Sequence, residues 1–63
     1  MFYRNVRNFR KMQGLTQCKF AEQLDVCRTT VSAWENKYSE PDLETLKKIK
    51  KVLNVSYEDL LDD

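Results

Sequence analysis

The chain has 63 residues, 41% hydrophobic and 33% charged, with a formal net charge of +1, one Gly, one Pro, two Cys and no His. A chain this short buries only about 60% of the surface its unfolded form exposes, so a single small core helped by a partner subunit is expected. Without histidine the commonest general base and the imidazole metal ligand are missing; two cysteines cannot build a disulfide scaffold or a four-ligand zinc site; and no apolar run approaches the roughly 18–20 residues of a membrane span.

Phe2, Val6, Phe9 and Met12 recur at a period of about 3.6 and predict an amphipathic first helix over 2–13. Gly14, the sole glycine, closes it in the left-handed conformation that ends a helix with least strain. Thr16 then caps a second helix, Gln17 to Leu24, with Phe20, Ala21 and Leu24 inward. Asp25-Val26 makes a short break, since Asp tolerates the left-handed region better than most residues with a Cβ. Cys27 to about Asn36 reads as a third helix with Cys27, Val31 and Trp34 facing the core.

Lys37 to Pro41 is the longest stretch without periodicity. Asp42 caps a fourth helix, Leu43 to Leu53, whose apolar stripe is Leu43, Leu46, Ile49, Val52 and Leu53, leaving Lys47, Lys48, Lys50 and Lys51 mostly outside. Asn54 suits the left-handed position after it. Ser56 with Asp59 resembles a capping box that opens a short fifth helix, Tyr57 to Leu61. No sustained alternation of period two, internal repeat or interdomain linker occurs, so the chain reads as one all-α domain over 1–63. The N-terminal MFYRNVRN lacks the apolar stretch of a secretory signal, which makes a cytoplasmic location with reduced thiols the expectation.

Charge is polarised along the sequence. Residues 1–32 hold six basic residues (Arg4, Arg7, Arg10, Lys11, Lys19, Arg28) against two acidic ones, whereas residues 33–63 hold five lysines against eight acids and end in the acidic run Glu58 to Asp63. Such asymmetry suits a protein with one face toward a polyanion. The tight break between helices two and three is the geometry of a helix-turn-helix. Helix three turns Arg28, Thr29, Ser32, Ala33 and Asn36 outward, none of them bulky and apolar, and such a face fits a major groove about 12 Å wide. Arg28 can donate two hydrogen bonds to guanine, Thr29 and Ser32 can bond base edges or phosphates, and Ala33 can touch a thymine methyl. The plainer alternative is a solvated helix face, and the residues alone leave both open.

Gly14-Leu15-Thr16-Gln17, Phe20 to Val26, Arg28 to Asn36, Pro41 to Leu46 and Leu53 to Leu61 together resemble the phage repressor and Cro class of helix-turn-helix DNA-binding proteins, the XRE family, over about Val6 to Leu61. The resemblance implies a compact five-helix repressor-like fold with helix three in the major groove. It also implies a sequence-specific transcriptional regulator, a repressor or Cro-like protein, bound as a homodimer to a palindromic double-stranded DNA operator with half-sites about 34 Å apart. By position, Arg28, Thr29, Ser32 and Ala33 would read bases. Thr16, Gln17, Asn36, Lys37 and Tyr38 would approach the sugar-phosphate backbone, Gln17 with both its side chain and its N–H at the helix terminus. Thr16 can also serve as a cap alone, and Lys37 and Tyr38 as plain loop residues. Arg10 and Glu35 match an ion pair joining helix one to the end of helix three, with phosphate contact the alternative for Arg10.

Val55, Tyr57 and Leu61 are candidates for the dimer surface, though each could fill the monomer core instead. The family pattern is broken at Asp25 (usually Gly), Cys27 (Ser or Thr), Lys37 (often Gly) and Lys50 (a small residue). Cys27 is a poorer cap than Ser; burial as a small hydrophobe is its ordinary fate and a redox role the alternative. The Lys50 stem can snorkel across helix five with its ammonium in water, or the helix packing differs locally from that of relatives. No cofactor, metal, membrane or small-molecule ligand is expected. An enzyme has no support, because Cys18 and Cys27 lack a His partner. The competing function is a protein-interaction module, antitoxin-like or anti-repressor-like, that keeps the fold without reading DNA.

Overall fold

The computed structural model describes residues 2–61, so Asp62 and Asp63 of the acidic run lie outside the described residues. Five helices follow in chain order: α1 (Phe2–Met12), α2 (Gln17–Leu24), α3 (Arg28–Glu35), α4 (Leu43–Leu53) and α5 (Tyr57–Leu61), with no strand among the described residues. The all-α expectation is met; only the end of α1 and both ends of α3 move, by one residue each.

One punctuation device recurs along the chain. Gly14, Asp25, Lys37 and Asn54 all have positive φ, at 73°, 59°, 67° and 55°. The N–H after each reaches back five residues: Leu15 to Arg10 at 3.1 Å, Val26 to Ala21 at 3.0 Å, Tyr38 to Ala33 at 2.9 Å and Val55 to Lys50 at 3.2 Å. These bonds satisfy carbonyls that a helix end leaves without partners. At three of the four stops the next residue, Leu15, Val26 or Val55, packs against the core. The residue after that is the N-cap of the following helix or, for Ser56, exchanges bonds with Asp59 at 3.1 and 3.2 Å. Leu15, Val26 and Val55 stand five positions before the buried Phe20, Val31 and Leu60, the spacing of a hydrophobic staple. A stop, a staple and a start thus occupy three residues, which keeps α2 close against α3.

The core consists of Val6, Phe20, Ala21, Leu24, Val31, Trp34, Ile49, Leu53 and Leu60. Each fully buried aliphatic or aromatic side chain contributes on the order of 1.5–3 kcal/mol. Two polar side chains tie α1 and the turn after it to the C-terminal half, as Asn5 Nδ2 donates to the Leu60 carbonyl at 2.9 Å and Gln13 Nε2 to the Leu53 carbonyl at 3.3 Å.

Three inward assignments are corrected. Met12 is 77% exposed. At about 100° per residue it lies well off the face of Phe2, Val6 and Phe9, and the inward position late in α1 goes to Arg10. Leu43 is 65% exposed, because burial along α4 deepens only gradually, through the half-buried Leu46 to Ile49 at 0% and Leu53 at 1%. Cys27 is exposed: as N-cap it has extended backbone, and Val26 is the residue of the turn that packs inward. Lys50 is half-buried, with its ammonium 4.5 Å from the centre of the Tyr57 ring on α5.

Candidate nucleic-acid interface

α3 begins at Arg28 directly after the Asp25-Val26-Cys27 turn, so the side chains of its first turn stand at the end of the helix pair. Arg28 and Thr29 are exposed, and Ser32 and Ala33 half-buried. Exposed Asn36 folds back on α3, its Nδ2 donating to the Ser32 carbonyl at 2.8 Å and to Ser32 Oγ at 3.2 Å. Ser32 Oγ is the acceptor in that contact, which leaves its own proton available to a further acceptor.

Arg10 and Glu35 are each 7% exposed. Arg10 Nε donates to Glu35 Oε2 at 2.7 Å and Nη2 to Oε1 at 3.2 Å, a two-bond fork that fixes orientation as well as charge. The third guanidinium nitrogen, Nη1, holds the Leu15 carbonyl at 2.7 Å. The network continues outward: Gln17 Nε2 donates to Glu35 Oε1 at 3.1 Å, and Arg28 Nη1 donates to Gln17 Oε1 at 3.4 Å. A buried α1–α3 ion pair is thereby connected through the first residue of α2 to the first residue of α3. Sequence reasoning missed the role of Gln17 as a bridge, since its partners lie 18 and 11 positions away.

The N-terminus of α2 lies beside this network. Thr16 Oγ1 accepts from the Lys19 N–H at 3.1 Å, while the N–H groups before it belong to the set a helix cannot satisfy internally. Lys37 turns elsewhere, placing its ammonium 4.5 Å from the centre of the Tyr3 ring on α1. Tyr38 is 85% exposed and, unlike the residues after the other three helix stops, does not pack on the core. Of the dimer candidates, Val55 packs against the core, Tyr57 is half-buried under the Lys50 ammonium and Leu61 is 57% exposed. The structure therefore brings Thr16, Gln17 and Arg28 to one end and Ser32 with Asn36 alongside, with Lys37 held against α1. Among the described residues no group of three His, Cys, Asp or Glu could hold a metal ion, and no helix is long and apolar enough to cross a membrane.

A family profile described as helix-turn-helix matches residues 6–60. The chain belongs to the XRE-type helix-turn-helix family of transcriptional regulators. It is 40% identical over 60 residues to the transcriptional activator BcrR of Enterococcus faecalis, covering 95% of this chain and 29% of that protein. It is 39% identical over 61 residues to the regulator YqaE of Bacillus subtilis, covering 97% and 53%, and 34% identical over 61 residues to the antitoxin PezA of Streptococcus pneumoniae, covering 97% and 39%. The chain thus spans about half or less of the length of these relatives. Among solved structures it is similar to SinR, the master regulator for biofilm formation, crystallised in complex with DNA. That match has a TM-score of 0.89 and 30% identity and covers 98% of this chain and 100% of the SinR chain. A second SinR structure, a complex with the SinI protein, also gives a TM-score of 0.89 at 30% identity, covering 100% of this chain and 62% of that one.

Proposed function

We propose that this chain is a sequence-specific double-stranded DNA-binding regulator of transcription, of the repressor or Cro-like kind, which binds a palindromic operator as a homodimer. The observation that carries the reading is the exposed polar start of α3, with Arg28 and Thr29 outermost, standing beside the N-terminus of α2. An α-helix edged by short polar side chains can enter a major groove and reach base edges, while helix-terminal N–H groups hold the flanking phosphates. The likeness to SinR solved on DNA supports it. In this reading Arg28, Thr29, Ser32 and Ala33 read bases. Thr16, Gln17, Asn36, Lys37 and Tyr38 contact the backbone, and exposed Leu61 with Tyr57 and Val55 supplies the dimer surface.

Selection of bound sequences from a random duplex pool tests this. The expected product is one motif with two inverted half-sites, and affinity that falls linearly with salt on logarithmic axes. Recovery of an asymmetric single half-site removes the dimer, and recovery of no motif removes sequence reading. A second reading, a protein-interaction module, is favoured by the groove of Phe2, Pro41, Leu46 and Leu61 edged by Glu40, by the antitoxin relative and by the SinR–SinI complex. That module would show little duplex binding at any salt concentration.

A further inference from the structure

The outer face of α1 carries cations that the helix-turn-helix does not use. Arg4, Arg7 and Lys11 are all exposed, and their spacing of three and four residues confines them to a strip about 60° wide on the helix surface. None is ion-paired with another described residue; the ion pairs among those residues are Arg10–Glu35 and Lys19–Glu22. With Tyr3 and Asn8 they line a polar groove whose remaining wall is Glu35, the last residue of α3. Glu35 is the one carboxylate of that lining, and its charge is already engaged by the Arg10 fork and the Gln17 amide. Lys37 extends the row toward the loop after α3, its ammonium seated on the Tyr3 ring that lines the same groove. The axial distance from Arg4 to Lys11 is about 10 Å at 1.5 Å per residue. Measured along the duplex axis a strand carries one phosphate per about 3.4 Å, so the strip is long enough to meet more than one of them.

We propose that this strip is a second DNA-gripping surface: Arg4, Arg7 and Lys11 neutralise phosphates of the duplex flanking the segment that α3 enters, and so lengthen the footprint without reading sequence. The inference rests on α3 being the recognition helix. Lys47, Lys48 and Lys51 on α4 are exposed as well, but they line a separate groove with Tyr57, apart from α3, and so provide a control with the same loss of charge.

The test compares wild type with Arg4→Gln/Arg7→Gln/Lys11→Gln and with Lys47→Gln/Lys48→Gln/Lys51→Gln, after circular dichroism has verified equal helicity. Affinity for the duplex selected by wild type is measured across about 0.05–0.3 M salt, where each lost phosphate contact flattens the log–log slope by roughly 0.9. The α1 variant is expected to flatten the slope by about one to three per bound chain with the preferred motif unchanged, and the α4 variant to keep the wild-type slope. A wild-type slope in the α1 variant, or equal flattening in both, overturns the proposal; the first result leaves an acidic protein as the strip's partner. A wild type without sequence preference overturns the reading of α3 instead, and the same slope comparison on unselected duplex then decides the strip alone.

Discussion

Glu35 and Arg28 are joined through one side chain: the Gln17 amide donates to the buried carboxylate at 3.1 Å and accepts from the exposed guanidinium at 3.4 Å. The inner bond is shorter and partly buried, whereas the outer one is long and open to solvent. Gln17 is therefore held by the protein, while Arg28 rests on it and can exchange that bond for a base. Arg28→Ala is expected to remove preference at one base position and about 1–3 kcal/mol of specific binding, whereas Gln17→Ala, at a position proposed to hold a phosphate, is expected to lower affinity for every duplex alike. Binding to the selected motif with each base pair changed in turn separates the two. Equal losses on all duplexes for Arg28→Ala would show that this side chain does not read bases.

The Arg10–Glu35 fork gives a second expectation, in which stability and binding part company. Arg10→Ala leaves a buried carboxylate with no countercharge and is expected to cost about 3–5 kcal/mol, a large share of the stability of a small domain. Replacing both partners by apolar groups, as in Arg10→Met/Glu35→Leu, removes the uncompensated charge and should recover most of that loss in a urea titration. The double variant also strips Gln17 of its acceptor, so its duplex affinity is expected to stay below wild type after the fold is restored.

What could be read in advance follows from range in sequence. Gly14, Asp25 and Asn54 as helix stops, and Thr16 and Asp42 as caps, are decisions made within a few residues, and each is where local chemistry puts it. Periodicity points Met12, Leu43 and Cys27 inward, but exposure is set by what neighbouring helices cover, which no single helix encodes. The Arg10–Glu35 pair spans 25 positions and entered only through a family resemblance, and Gln17 as a bridge was not legible at all. Lys37 lies between these cases: its left-handed φ of 67° accounts for the glycine common at that place in the family, while its reach to Tyr3 needed the fold.

That backbone position yields a comparison of two substitutions. A side chain with a Cβ in the left-handed region costs roughly 1–2 kcal/mol, and the Lys37 ammonium over Tyr3 offsets about 0.5–1 kcal/mol of it. Lys37→Ala keeps the strain and loses the ring contact, whereas Lys37→Gly loses both. Thermal unfolding should therefore find the glycine variant more stable than the alanine variant by about 1 kcal/mol, with wild type near the glycine variant.

Asp42 governs a pH dependence. Its carboxylate accepts from the Thr45 N–H at 2.8 Å, and hydrogen bonding from Thr45, through its side chain first and its backbone second, holds the carboxyl below its ordinary value, with Lys48 adding a smaller pull in the same direction. Because the folded value is the lower of the two, the cap contributes fully above the unfolded value and loses its contribution as pH falls through the folded one. Asp42→Asn keeps a capping oxygen without the titration. The gap in melting temperature between wild type and this variant should therefore narrow on acidification from neutral pH through the range below 4.

Among the described N-caps, Cys27 is the one whose side chain makes no cap hydrogen bond. It has the extended backbone of an N-cap, φ −78° and ψ 150°, and its carbonyl already accepts from the Thr30 N–H at 3.0 Å, yet the thiol leaves the first-turn donors of α3 without a side-chain acceptor. Thr16 and Asp42, in the same backbone region, each accept from the N–H three residues on, at 3.1 and 2.8 Å. The Thr30 N–H is already taken by the Cys27 carbonyl, so a serine hydroxyl at position 27 gives it a second acceptor rather than a first, and because the thiol is exposed the substitution opens no cavity. Cys27→Ser is therefore expected to raise stability by about 0.5 kcal/mol, the low end for a cap, in chemical denaturation. The motif selected from random duplex should not change, because the substitution alters a cap and none of the side chains proposed to read bases. A neutral or destabilising result would mean that backbone angles alone do not make this position a working cap.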